Sequence, residues 1–243
     1  ALSALGFVEL LLSTATDIRT TVCATPEELA PALASMASAA NAPSMYALIE
    51  DADPQRESIH GMAVSSGNAA ACYVPAHSPA WPELVTWLER ADIPKGGHDL
   101  IATRVVLQRQ GVHVAGIIAD SACASHLTQP SGWAPHALTG VARHVLGRSL
   151  PDDDQVRGTG GERKAWKDLS PERAAKVACE RADACAAITR SLLPSLEPAL
   201  MREYLELSDT LVRMELTGIA IDVAQLDRTD VTFAAIERDL QAE

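Results

Sequence analysis

Acids are the residues in this sequence whose grouping could do chemistry. An apolar run, Met45 to Ile49, ends in Glu50, Asp51 and Asp53, while Asp99, Asp120 and Asp183 stand apart and Asp152-Asp153-Asp154 form a run. Carboxylates gathered by a fold hold divalent cations, whereas isolated ones cap strands and helices. A strand alternates faces, so Glu50 points away from Asp51. Pro54 follows Asp53 at once and marks a turn, so the plain reading of Glu50 and Asp53 is that they cap a strand end. Other chemistries lack their residues. No His-Glu-x-x-His, Cys-x-x-Cys, Gly-x-Ser-x-Gly or Cys/His nucleophile pattern occurs. Gly158-Thr159-Gly160-Gly161 lacks the Lys and hydroxyl of a phosphate loop, and Asp152 to Asp154 lack the spaced ligands of a calcium loop.

The elements that must position these acids can be read along the chain. Thr20 to Ala24 is strand-like, and Pro26-Glu27-Glu28 opens a helix to about Ala39. Asn41-Ala42-Pro43 is a turn, and Met45 to Glu50 has the character of a central strand. Ile59 to Ser65 and Ala69 to Val74 form a hairpin around Ser66-Gly67-Asn68. Helices are expected over Trp81–Ala91, Leu100–Gln110, Asp120–Leu127, Pro135–Leu146 and Pro171–Leu193, the last capped by Ser170. Lys95 to His98 and Val114 to Ile118 are short strands between them. Asp120 suits a helix cap, Asp183 a solvated or capping residue, and His136 and His144 a superficial pair on one helix. Pro151 to Lys167, polar and glycine-rich, reads as a mobile surface loop. Three antiparallel strands followed by alternating helices and strands give an α/β fold, a mixed sheet flanked by helices.

Composition sets limits. With 47% hydrophobic and 21% charged residues over 243 positions, the chain suits one domain with an appendage. Its net charge of −12 argues against a free-standing nucleic-acid binder, whose affinity comes from neutralising phosphates. Five scattered cysteines without ligand spacing indicate buried thiols in a reducing, cytoplasmic setting. No apolar run reaches the ~20 residues of a membrane span, and no basic segment precedes the apolar Ala1–Ser13, so neither a span nor a signal peptide is expected.

The C-terminal stretch Tyr204–Leu226 places apolar residues at helical spacing up to Gly218, where a left-handed cap would end the helix, and Asp222 is placed to cap a second one. Its pattern L-x-R-M-E-x-x-G-I-x-I-D-x-x-x-L resembles the segment of family A DNA polymerases that leaves the 3′–5′ exonuclease-like domain and enters the thumb. Weaker matches are Tyr73-Val74-Pro75 with His77, Gly97-His98-Asp99-Leu100 and Glu180-x-Ala182-Asp183. The resemblance implies a ribonuclease H-like (DnaQ-type) fold with a C-terminal helical extension. It divides the chain into a linker segment (1–19), an exonuclease-like domain (20–198) and the start of the thumb (199–243).

Active members of that family hold two metal ions with carboxylates and orient water with a tyrosine. The resemblance places Ile49, Asp51, Thr103 and Arg181 at ligand positions and Val177 at the tyrosine. Only Asp51 is acidic, so the implied exonuclease is inactive and this chain holds no metal, although Mg²⁺ is expected for the parent polymerase. The implied role is structural, within a replication or repair polymerase that meets DNA through the parent and its remaining polymerase domain. Two alternatives stand beside it. One is an active two-metal nuclease built from Glu50, Asp51, Asp53, Asp99 and Asp183. The other is a protein-interaction module without nucleic-acid binding.

Overall fold

The computed structural model describes residues 17–37, 41–50, 53–129 and 136–242. Six strands form its centre: β1 (Arg19–Val22), β2 (Ser44–Ile49), β3 (Ile59–Ser65), β4 (Ala70–Pro75), β5 (Lys95–Gly97) and β6 (Ile117–Asp120). The helices are α1 (Pro26–Ala37), α2 (Trp81–Glu89), α3 (Leu100–Arg109), α4 (Ser121–Thr128), α5 (Leu138–Leu146), α6 (Asp153–Arg157), α7 (Pro171–Leu192), α8 (Pro198–Thr217) and α9 (Val223–Ala242). The strand order is β1-β4-β3-β2-β5-β6. The three strands β2, β3 and β4 run antiparallel, β1 lies parallel to β4, and β5 and β6 continue parallel to β2. The expected mixed sheet flanked by helices is thus the observed one.

Period-two alternation assigns the sheet two covers. Met45 and Ala47 of β2, Met62 and Val64 of β3, and Cys72 and Val74 of β4 pack with α1, α2 and α3. Leu48, Ala63, Ala71 and Tyr73 face the other way, onto Ala174, Ala175, Val177, Ala178 and Ala182 of α7. Alanines let this helix approach the strands closely. Gly61 serves the same packing: a Cβ there would stand 2.1 Å from the Tyr73 hydroxyl. On the first face Lys95 is fully buried, its ammonium donating to the carbonyls of Arg90 (2.6 Å), Ile93 (2.9 Å) and Ala115 (2.9 Å).

Several expectations need correction. The segment Pro151 to Lys167 is only in part a surface loop: 159–162 are exposed, but the stretch is structured and anchored. Asp152 and Gln155 form a capping box that starts α6, and Val156, Arg157 and Trp166 are buried. Gly116 at φ 72° brings the chain within 2.4 Å of the Ile93 carbonyl at a would-be Cβ, and β6 begins only after it, at Ile117 rather than Val114. Of the expected Pro135 helix, Pro135 lies outside the described residues and the helix starts at Leu138. His136 precedes it in a left-handed conformation and is buried against Ser125, so it is neither on that helix nor superficial. Gly218 ends α8 with φ 68° but ψ −166°, an extended turn open to glycine instead of the left-handed cap. Ala1–Ser13 lies outside the described residues.

Candidate functional site

The functional question centres on the side of β2 that faces α7. Strand alternation gives that side Tyr46, Leu48 and Glu50, while Ile49 packs against the opposite core. Arg181, only 5% exposed, reaches this side from α7. Its Nη1 donates to the Tyr46 hydroxyl at 3.2 Å, and its Nη2 donates to the Pro151 carbonyl at 3.0 Å and pairs with Asp153 at 2.7 Å. Burial alone would lower the Arg181 pKa, but Tyr46 and Asp153 outweigh it and hold the group above its ordinary value. Burial raises the Tyr46 hydroxyl, with the neighbouring guanidinium acting against it.

A second cation sits beside the first. Arg157 pairs with Glu50, and the Trp166 backbone N–H also donates to that carboxylate. The Trp166 indole N–H donates to the Ile49 carbonyl at 3.0 Å. Both guanidinium groups stack on the indole, Arg157 at 5.0 Å and Arg181 at 5.8 Å from its centre. Val177, one helical turn before Arg181, is buried in the same cluster as Trp166. The structure therefore brings Arg181, Val177 and the Ile49 backbone together. It places the Ile49 side chain on the far face and Thr103 on α3, a helix whose apolar residues join the other core. Asp51 lies outside the described residues.

The remaining acids are dispersed. Asp183 is fully buried, not solvated: it pairs with Arg148 at 2.6 Å and accepts from Ser65 Oγ (2.9 Å) and the Ala69 N–H (3.0 Å). Asp120 accepts from the N–H groups of Asp99 (3.0 Å), Leu100 (2.9 Å) and Ala122 (2.8 Å), so one carboxylate caps α3 and α4 together. Asp53 accepts from the Gln55 N–H within a turn. Among the described residues no three His, Cys, Asp or Glu side chains are placed to share a metal ion.

A match to the family described as DNA polymerase I, ribonuclease H-like domain, spans residues 45–188. This chain belongs to that family. Among solved structures it is similar to the POL domain of Pol1 from M. smegmatis in complex with DNA primer-template and dNTP, with a TM-score of 0.66 and 21% identity over 91% of this chain. It spans 36% of that polymerase chain. The Trypanosoma brucei RNase D complex with RNA U12 follows at TM-score 0.65 and 16% identity, covering 90% of this chain and 76% of that one. Brucella melitensis NrnC bound to pGG gives 0.60 at 16% identity, covering 83% and 93%. No curated protein matches.

For a DNA polymerase I ribonuclease H-like domain the implied ligands are divalent metal ions, and among the described residues the donors on this face do not fit them. The strand carboxylate that faces α7, Glu50, is held by Arg157 and Trp166, and the helix offers a guanidinium at Arg181. A cation gains nothing from donors already neutralised or positive. In the sequence Glu50 reads as a strand cap, and Arg157 and Trp166 fall in a stretch that reads as a surface loop. The available signals were the Asp152-x-x-Gln155 box and a tryptophan in a chain with only 4% aromatic residues.

Proposed function

We propose that this chain is the exonuclease-like part of a family A DNA-directed DNA polymerase in which 3′–5′ hydrolysis has been lost and the domain acts as architecture. One observation carries the reading. Arg181, buried and ion-paired to Asp153, occupies the α7 position where the resemblance expects a metal-binding carboxylate. Two-metal hydrolysis needs anionic ligands on both strand and helix. A guanidinium anchored by Tyr46, Pro151 and Asp153 supplies the opposite charge. On this reading residues 20–198 support the thumb helices that begin near 199. DNA is met through the parent polymerase and its remaining domain, and Mg²⁺ serves that parent in cytoplasmic replication or repair.

The test is incubation of the purified chain with 3′-labelled single-stranded DNA and Mg²⁺ or Mn²⁺. No loss of 3′ nucleotides is expected. Degradation that disappears in Asp51→Ala would overturn the reading in favour of a rearranged two-metal nuclease.

A further inference from the structure

The segment between α5 and α7 does more than connect them. From Pro151 to Leu169 it forms a strap: α6, a short turn at Gly160–Glu162, and a second at Trp166–Asp168. Arg157 Nε donates to the Lys164 carbonyl and the Lys164 N–H donates to the Arg157 carbonyl, both at 2.8 Å, which closes the strap on itself. Its charges are complementary to the face beneath. Toward the strand it presents Arg157, which pairs with Glu50; toward the helix it presents Asp153, which pairs with Arg181. Trp166, 1% exposed, contacts both guanidinium groups and fastens to the β2 backbone.

We infer that this strap is an internal ligand of the β2–α7 face: Arg157 stands in for a divalent cation on Glu50, and Asp153 neutralises Arg181, so the face admits neither a metal ion nor a nucleic-acid end. The inference rests on the proposed loss of hydrolysis and goes further. Loss of carboxylates leaves an open cleft that could still bind. A strap with matched charges closes it, so restoring a carboxylate on α7 alone does not recreate a metal site.

Two measurements on the whole chain test this. Hydrogen exchange of the unmodified chain should show the Trp166 and Val156 amides protected to the level of the β2 amides; exchange at the rate of exposed loops overturns the strap as a seal. Mn²⁺ titration followed by electron paramagnetic resonance then compares variants. Arg181→Asp should bind Mn²⁺ as weakly as the unmodified chain, while Arg157→Gln with Arg181→Asp should bind at least about tenfold more tightly, because Glu50 is freed and a repelling charge removed. Equal affinity of the single and double variants overturns the inference, as does a folded double variant that binds no better than the parent. Should the double variant fail to fold, the exchange result decides. Degradation of single-stranded DNA by the unmodified chain, with the strap protected, would defeat the proposed loss of hydrolysis. An unprotected strap without degradation would defeat only the seal.

Discussion

Two helices of similar length, α7 with 22 residues and α9 with 20, invert the usual distribution of charge and apolar surface. Helix α7 buries 14 residues, among them Arg181 and Asp183, whereas α9 leaves Phe233 65% and Leu240 68% exposed. The charges of α7 tolerate burial because each is met by partners. Asp183 alone engages a guanidinium, a hydroxyl and a backbone N–H. No described residue covers the apolar stripe of α9, although the helix before it is anchored, with Met201 and Val212 of α8 buried. A pattern of side chains states which face needs a cover; the fold decides whether the cover is there. Anchoring by buried side chains therefore reaches α8 and not α9.

The sharpest way to break the comparison is to remove a buried charge from α7. Asp183→Ala strands Arg148 in a largely enclosed position and leaves the Ala69 N–H without its acceptor, while the Ser65 hydroxyl keeps the Ala70 carbonyl. The expected loss is about 3–5 kcal/mol of folding stability by denaturant titration, as for other broken buried pairs. A loss below about 1 kcal/mol, the range of exposed ion pairs, would mean that the α7 face is wetter than its burial indicates.

Lys95 sharpens the same point with a buried charge that has carbonyl partners but, among the described residues, no carboxylate in contact. Burial lowers its ammonium from 10.5 to about 8, with Asp92 opposing and Arg90 adding to the shift. The sign follows from linkage. A base with a depressed folded pKa is charged more readily in the unfolded chain, so the unfolded chain binds more protons between about 8 and 10.5. Stability of the parent relative to Lys95→Met should therefore rise as pH climbs through that window and stay level below it. A difference that falls with rising pH would show that the three carbonyls, not burial, govern this lysine.

The legibility of the fold and of the site differed for a physical reason. Sheet strands carry a period-two pattern that survives in any register, so β2, β3 and β4 could be placed within a residue or so. Asp120 and Asp222 as helix caps were equally readable, because a cap acts on backbone within a turn of itself; the Gln225 N–H indeed donates to Asp222 at 2.9 Å. The β2–α7 face depends on contacts across more than a hundred positions, such as Arg157 with Glu50 and Trp166 with Ile49. Polar composition hid the strap, since Asp153, Arg157 and Arg163 read as solvated charges until their partners are known. The same non-locality explains why Asp183 passed for a surface acid.

The smallest expected effect lies on α9, and its smallness is the content of the prediction. Leu226, Phe233, Ile236 and Leu240 are spaced to share a stripe, yet each is between 47% and 68% exposed. A large apolar side chain moved from water into a core gains roughly 1.5–3 kcal/mol, and none of that gain is collected where the side chain stays wet. Phe233→Ser should therefore change stability by less than about 0.5 kcal/mol, the range of ordinary surface substitutions. In the same chain the amides of α9 should exchange orders of magnitude faster than those of β2, since no tertiary burial holds the helix closed. If Phe233→Ser instead costs about 2 kcal/mol, the stripe is covered in solution. Sedimentation at two protein concentrations then identifies the cover. A mass that doubles with concentration assigns it to a second copy of this chain, and a constant monomer mass assigns it to the chain's own residues.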